Sequence, residues 1–564
     1  MKIIFSKHSL LFFLSGVISL CKPVLLSAQI SPTIDWQRCI GGYSIDESNQ
    51  AVTTRDGGSI IVSRSYSKDG DVRNASPNEY NGWVAKLDQS GQIQWSSSIE
   101  GDNGSTLNSI IETSEGDFVA VGSTASLYVG GVKTHGGGDA LVIKFNKDGD
   151  ILWEKIYGGS VADIGNVIVE NKLEGGGYVF AGVSSSNDGD VIGRHRAIGT
   201  DSSDAWVVKI TKDGILEWQK CLGGSNQENI SSIIQTQDGG YAFTGNTSSS
   251  DGDVVGHIGD YSTGWFVKLS LSGNIIWQKC LKVGFRNWGV QSIVKTIDGG
   301  LTIITKTSDT AVLGFHPGSD LFGNSDIYIA HFNSSGSLLW ERCYGGSKDD
   351  NGESIFSTID GGYLFIATVF SNDGDVSGIH RLTTSNSSVN SDVWIVQLRA
   401  DGSITWSQCY GGSSTENGTS ICQTKDGKIL FVAYASSSDG DVEGLHSNSK
   451  FDNIDIWVVK LGLNADVPIN SNFDFTGLIR DKFLKIYPNP SSSSVHLEML
   501  PWFTAKGVEI YNLLGTKLSC ETTIAENGAN LSVKSLPNGT YIARVAYTTE
   551  KVNGTFTLPL IVYH

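Results

Sequence analysis

The segment WQKCLGGSNQENISSIIQTQDGGYAFTGNTSSSDGDVVGHIGDYSTGWFVKLSLSGNII, residues 218–276, decides the fold. It contains the apolar runs ISSIIQT, YAFTGNT and GWFVKLS, and a fourth, NIIWQKC, begins at its end. The turn QDGG lies between the first two runs and LSGN between the last two, and both have hairpin chemistry. Each unit therefore predicts a four-stranded antiparallel meander. The same text recurs behind Trp36, Trp95, Trp153, Trp218, Trp277, Trp340 and Trp406, at intervals of 58 to 66 residues. Roughly sixty residues per four-stranded unit, repeated in one chain, is the signature of a β-propeller with one sheet per blade.

The ends of the array complement each other. The first repeat text, TIDWQRC at 33–39, supplies only a fourth strand, and the last unit stops after a third, IWVVKLG at 456–462. Pairing these two closes the ring through backbone hydrogen bonds and leaves no raw edge. An open solenoid needs capping repeats with polar outer faces, and the sequence shows none. The expected fold is all-β: a seven-bladed β-propeller over 33–462 in which the N-terminal strand completes the last four-stranded blade. With strands running from the channel outward, the long loop after the second strand and the GGS loop share one face. Functional variation is expected there.

Composition agrees. The chain has 564 residues, enough for more than one domain, with 68 glycines, 10 prolines and 2 methionines, which favours short strands and tight turns. A net charge of -18 argues against nucleic acid or an anionic membrane as partner, since both need a basic footprint. Residues 1–28 read as a signal peptide: Lys2 and Lys7, an apolar core over 9–20, and small residues ending at Ala28, where cleavage is expected. Leu20 before Cys21 excludes lipid attachment, and no later segment is apolar enough to span a bilayer. Five of the eight cysteines, Cys39, Cys221, Cys280, Cys343 and Cys409, occupy one repeat position where the other two units have Ser98 and Ile156. Equivalent positions in successive repeats lie too far apart for a disulfide, which needs Cα atoms within about 7 Å. A small buried filler is the expected role.

The long loop carries a repeated acidic text, with Asp69 and Asp71, Asp188 and Asp190, Asp251 and Asp253, Asp373 and Asp375, and Asp439 and Asp441 each flanking a glycine. Two readings stand. Alternating aspartates around a glycine direct two carboxylates and a carbonyl at one point, as calcium requires, and Asp204, Asp392 or Asp455 ahead of the third strand offers another oxygen. Asp-Gly-Asp also builds Asx turns whose side chains bond nearby backbone amides, and the fixed further acid of a calcium loop is missing. His135, His195, His257, His316, His380 and His446 follow on the same loop. Repeats spread such residues around a ring, whereas zinc ligands converge, so a bond to the loop's own aspartate or backbone is expected.

The repeat resembles the SBBP-type β-propeller family through Gly223-Gly224, Asp238-Gly239-Gly240-Tyr241, Lys209 and Lys460. That resemblance covers 33–462 and implies a fold without prescribing an activity. Residues 463–482 read as a linker. From 483 to 564 the alternating text FLKIYPNPSSSSVHLEML, VEIYNLLGTKL and LSVKSLPNGTYIARVAY describes a small β-sandwich. It closely resembles the type A C-terminal sorting domain of the type IX secretion system, on Tyr487, Pro488, Asn489, Pro490, Ile510 to Leu513, Gly515 and Leu536 to Tyr541 with Gly539. The final strand, FTLPLIVYH, lacks the usual lysine. The resemblance implies the type IX machinery as a partner, and secretion or attachment at the outer-membrane surface.

No nucleophile elbow, phosphate loop or zinc helix is present. DQSGQIQW and NKDGDILW resemble the tryptophan-docking text of quinoprotein propellers, but a hairpin followed by an outer strand explains them equally. In the fifth unit KVGFRNWG replaces GGS and adds Phe285, Arg286 and Trp288, the residue types of a binding patch. The expected function is an extracellular binding or scaffold module for glycans or proteins. The alternatives are a polysaccharide hydrolase or lyase, whose carboxylate pair is defined only in space, and a purely structural surface protein.

Overall fold

The third strand of each repeat, such as Asp204–Ile210 with sequence DAWVVKI, is buried along its whole length. Its apolar residues face neighbouring sheets on both sides, so it reads as a continuous hydrophobic run rather than an alternating one. Its tryptophans Trp83, Trp206, Trp265, Trp394 and Trp457 are among the largest fully buried side chains. Each buries on the order of 200 Å², about 5 kcal/mol of transfer free energy at roughly 25 cal/mol per Å². The outer strand, such as Leu216–Leu222, is instead half-exposed for most of its length.

The computed structural model describes residues 32–462 and 484–562 apart from short breaks, the longest being 73–79, 196–201, 258–260, 282–289, 318–324, 381–389, 447–453, 488–492, 500–503, 513–516 and 549–552. The expected signal peptide and linker, and Phe285, Arg286, Trp288, Pro488, Asn489, Pro490 and Gly515, lie outside the described residues. Among those described, all regular secondary structure is strand.

Between Thr33 and Gly462, twenty-eight strands form seven four-stranded antiparallel sheets. Six follow chain order from inner to outer strand. The last is completed from the other end of the chain: Thr33–Ile40 pairs antiparallel with Asp455–Gly462, from Thr33 opposite Gly462 to Ile40 opposite Ile456. Each inner strand meets the inner strand of the next sheet, and Glu416–Gln423 of the last meets Asp46–Thr53 of the first. The succession of sheets is closed. A two-residue hairpin, Tyr128–Val129 with Val132–Lys133, adds an unforeseen element to the long loop of the second sheet.

The outer-strand tryptophans, which mark the repeat in sequence, fasten each sheet to the next. Trp95 donates its indole N–H to Lys147 O at 3.2 Å, and a Cβ on Gly149 would stand 2.6 Å from its ring. Trp36 meets Gly91 in the same way at 2.7 Å, and Trp218 meets Gly273 at 2.8 Å. The SG and DG turns must therefore be glycine twice over, for positive φ and for contact with the ring. Tyr157 and Tyr344 bond the carbonyls of Gly214 and Gly402 at the following turns. At the chain junction Tyr410 bonds Pro32 O instead, at 2.9 Å.

The C-terminal residues form two further four-stranded sheets. One contributes Val495, Leu497 and Leu531 and the other Ile510, Ala543 and Val545 to one apolar cluster. Tyr487 ends the strand Leu484–Tyr487, and Gly539 opens the strand Gly539–Thr548.

Gly149→Ala and Gly116→Ala separate the two demands on the turn glycines. Both positions have φ near +90°, but nothing lies within 4 Å of a Cβ at Gly116. Thermal or denaturant unfolding is expected to show a cost of about 1 kcal/mol at Gly116 from backbone strain. Gly149→Ala is expected to cost a further 1–3 kcal/mol, roughly, from overpacking against Trp95. Equal costs would contradict the docking role.

Candidate functional site

The Asp-Gly-Asp loops lie against the Gly-Gly loops, and five sheets build the junction identically. In the fourth, four consecutive backbone amides each find a side-chain acceptor. Gly223 N–H donates to Asp253 (3.2 Å), Gly224 to Glu228 (2.9 Å), Ser225 to Asp251 (2.7 Å) and Asn226 to Ser249 Oγ (2.9 Å). In the first sheet Gly41, Gly42, Tyr43 and Ser44 donate to Asp71, Asp46, Asp69 and Ser67. In the third, Gly158, Gly159 and Ser160 donate to Asp190, Asp163 and Asp188. In the sixth, Gly345, Gly346 and Ser347 donate to Asp375, Asp350 and Asp373. In the last, Gly411, Gly412 and Ser413 donate to Asp441, Glu416 and Asp439. A run of amides is an anion-binding concavity, and here the protein supplies the anions. The two aspartates of one loop thus serve different amides rather than one shared point. Among the described residues no group of three or more His, Cys, Asp or Glu is arranged to hold a metal ion.

Sequence reasoning missed the middle acceptor. Asp46, Asp163, Glu228, Asp350 and Glu416 are fully buried, and each stands four residues after the second glycine, so the readable signal is G-G-x-x-x-[DE] in the same five units as Asp-Gly-Asp. His195, His316, His380 and His446 reach beyond their own loop, whereas His257 bonds backbone within it as expected. His195 Nδ1 bonds Asp204, at the head of its own third strand, at 2.6 Å, while Nε2 faces Asp253 of the next sheet at 3.4 Å. His316 joins Asp326 to Asp375, His380 joins Asp392 to Asp441, and His446 joins Asp455 to Asp71 across the chain junction. His257 instead meets the carbonyl of Tyr261, and the fifth sheet that follows it has no Asp-Gly-Asp.

These junctions crowd carboxyl groups. One buried oxygen each of Asp139, Asp204, Asp326, Asp392 and Asp455 has no hydrogen-bond partner. Burial pushes the carboxyls of Asp163, Glu228 and Glu416 up, and those of Asp46 and Asp350 to about 6, against hydrogen bonds that pull them down. His446 is raised by its bond to Asp455; His195 is raised by Asp204 despite partial burial. The solvent-facing Asp188, Asp251 and Asp439 are lowered by serine amides, and Asp373 by Ser347.

The inner strands hold a second group of polar residues. Each complete inner strand carries a bulge, and its extra residue is Asn49, Asn108, Asn166, Ser231, Glu353 or Thr419. The asparagines bond the inner strand of the next sheet, as Asn49 does with Leu107 O at 2.7 Å and Asn108 with Gly165 O at 2.9 Å. Glu353 is the one charged residue among these six. It is half-buried, and burial raises its carboxyl to about 7 while Lys306 pulls it down. Burial lowers Lys306 to about 8 against Asp349 and Glu353, and its Nζ bonds Asn351 at 2.7 Å. The charge of Glu353 also reaches Tyr434, as does that of Glu47. Glu47 pairs with Arg64, whose guanidinium lies over Tyr66 and Tyr80. Charged and aromatic groups of the fifth, sixth, seventh and first sheets are thus linked in succession from sheet to sheet. The repeat cysteines take no part: Cys39, Cys221, Cys343 and Cys409 are buried, and burial raises their thiols, that of Cys221 to about 12.

Residues 485–557 match the secretion system C-terminal sorting domain. The protein is therefore secreted or attached at the cell surface, and its tail engages the secretion machinery. No curated protein matches the sequence. Similar solved structures include Sqt1 from Chaetomium thermophilum, at 10% identity and TM-score 0.39 over 77% of this chain and 100% of that one. YCF48 bound to D1 peptide has 9% identity and TM-score 0.37 over 78% and 99%. An ulvan lyase of polysaccharide lyase family PL25 has 10% identity and TM-score 0.39 over 74% and 95%. At these scores the architecture rests on the strand pairing itself. No helix among the described residues is long and apolar enough to cross a membrane.

Two outcomes are expected of the junctions. The raised carboxyls and histidines hold protons in the folded state that the unfolded chain has released. Their contribution is fully present below the ordinary carboxylate range and is lost as pH rises through about 6 for Asp46 and Asp350, and above about 6.5 for His195 and His446. The lowered aspartates contribute oppositely, losing stability as pH falls below about 4. Melting temperature is expected to peak at mildly acidic pH and decline toward pH 8; a flat or rising profile would contradict the assignment. Calcium present at a hundredfold its dissociation constant stabilises a protein by about 2.7 kcal/mol. With the loop carboxylates already on amides, millimolar calcium and chelator are expected to give the same melting temperature, and a rise in calcium would restore the metal reading.

Proposed function

We propose that the seven sheets over 33–462 are the complete blades of a seven-bladed β-propeller of the SBBP-type repeat. It follows a signal peptide at 1–28 and is joined by the linker 463–482 to a β-sandwich sorting domain of type A at 483–564. In this reading the propeller acts outside the cell as a binding or scaffold module for glycans or proteins. The observation that carries it is the group around Glu353, Lys306, Asn351 and Tyr434 on the inner wall. Unlike the junction carboxylates, Glu353 is committed to no amide. Titratable groups shifted toward neutrality are what ligand sites use.

The same shift is what a general acid needs, so binding and cleavage are tested together. Affinity electrophoresis of the mature chain through gels containing different polysaccharides, with reducing ends assayed, is the direct experiment. Retardation without cleavage, weakened about tenfold, roughly 1.4 kcal/mol, by Glu353→Gln or Lys306→Met, is the expected result. New reducing ends lost in Glu353→Gln would favour the hydrolase or lyase. Retardation unaffected by either variant would remove the inner wall from the binding site.

A further inference from the structure

The first sheet departs from an arrangement that the third, fourth, fifth and last sheets share. After the outer-strand tryptophan, the third, fourth and last sheets have a glutamine that accepts the indole N–H of the third-strand tryptophan. Trp206 donates to Gln219 at 3.0 Å, Trp265 to Gln278 at 2.8 Å and Trp457 to Gln37 at 2.6 Å. In the fifth sheet Tyr328 and Glu341 make the equivalent bond at 2.5 Å. In the first sheet this position is Ser96, which is too short to reach. Trp83, 1% exposed, keeps its indole N–H unpartnered behind it.

Ser96 itself borders an open space. A cleft of about 520 Å³ runs between the outer strand of the first sheet and the closing strand of the last, lined by Arg38, Asp71, Gln92, Gln94, Trp95 and Ser96 among others. That volume is in the range of small-ligand sites. Arg38 Nε on the facing wall is also buried without a partner. The sixth sheet shares the serine, Ser407, but its unpartnered Trp394 N–H is accompanied by an unpartnered acceptor, Gln408 Oε1. At the first sheet both leftover groups are donors. A native protein rarely leaves buried donors unsatisfied, and such a departure from a locally consistent pattern marks functional positions.

We propose that this cleft is a subsite for a neutral glycan chain, which extends extracellular binding to a second place on the molecule. Hydroxyl and ring oxygens supply acceptors for the guanidinium of Arg38, which lines the cleft, while Trp83 lies buried behind Ser96. The planar amide, guanidinium and carboxylate groups of Gln92, Gln94, Arg38 and Asp71 match paired sugar hydroxyls. Arg38 and Asp71 offset each other in charge, and position 97 is serine where Arg38, Lys155, Lys220, Lys279 and Arg342 stand on other outer strands. The walls therefore do not select a charged ligand.

Ser96→Gln tests this by restoring the repeat's own residue. It is expected to satisfy Trp83, to leave the melting temperature equal or higher, and to fill the cleft. The mature protein, Ser96→Gln, Arg38→Gln and Glu353→Gln are compared on an immobilised panel of neutral plant, algal and bacterial glycans. Binding by the parent that falls at least tenfold in Ser96→Gln and Arg38→Gln but persists in Glu353→Gln is the expected result. Loss in Glu353→Gln alone overturns the cleft and keeps the inner wall as the site. No neutral glycan bound by the parent overturns the cleft as well, and leaves protein partners to the inner wall.

Discussion

Four consecutive backbone amides at the Gly-Gly loop set the terms for the rest of the ring. A chain leaving one outer strand for the next inner strand must bury this turn between sheets, and unpaired buried amides are too costly to leave. The protein answers with three carboxylates and a hydroxyl drawn from two segments: the inner strand four residues on, and the long loop some thirty residues on. Charge-assisted bonds to backbone N–H are roughly twice as strong as neutral ones. They also fix where the long loop lies. Gly252, at φ +65°, sits so close to the carbonyl of Gly223 that a Cβ would approach it to 2.3 Å. The glycine between the aspartates is thus set by the same contact that occupies their side chains.

The device couples neighbouring sheets as well as closing its own. Each bridging histidine holds the aspartate of its own third strand and faces the second loop aspartate of the following sheet. The partner is therefore found one unit further along the chain, which explains a pattern otherwise arbitrary in sequence. The fourth sheet, with its displaced His257, and the first, with no histidine on this loop, precede the fifth and second sheets, the two without Asp-Gly-Asp. Histidine, loop aspartates and buried acid are gained or lost together across a boundary. Crowded carboxyls at these boundaries give the ring a dependence on pH that a hydrophobic seam alone would lack.

Strand number, hairpin turns and the closing role of Thr33–Ile40 were legible because they depend on local chemistry and on a repeat period. The Asp-Gly-Asp text was legible as a repeat, but its side chains bond amides of the Gly-Gly loop some thirty residues away rather than nearby ones. The partners were not legible. Nothing in one unit shows that His195 reaches Asp253 of the next, or that Trp95 rests on Gly149, since both contacts are made across sheets by residues more than fifty positions apart. Glu228 was passed over because a single acid at the start of a strand is unremarkable until the GG spacing is compared across units. The inner-wall bulge that exposes Glu353 left no trace, because a bulge is one extra residue within an apolar alternation.

Repetition within the chain supplies its own control. Where units agree, the shared residue answers a shared structural demand: the glycine under six of the outer tryptophans, the lysine that holds the DGG aspartate as Lys86 holds Asp56, the cysteine-sized filler. Agreement of this kind says little about a ligand, because a ligand is not distributed evenly around the ring. Function is sought where a unit gives up a satisfied arrangement without local compensation. Glu353 replaces the amides and hydroxyls that serve other bulges and gains a half-buried charge. Ser96 replaces a hydrogen-bonding glutamine and strands a tryptophan N–H. Both positions give up an arrangement that other units keep: an uncharged side chain at the bulge, and a glutamine on the third-strand tryptophan.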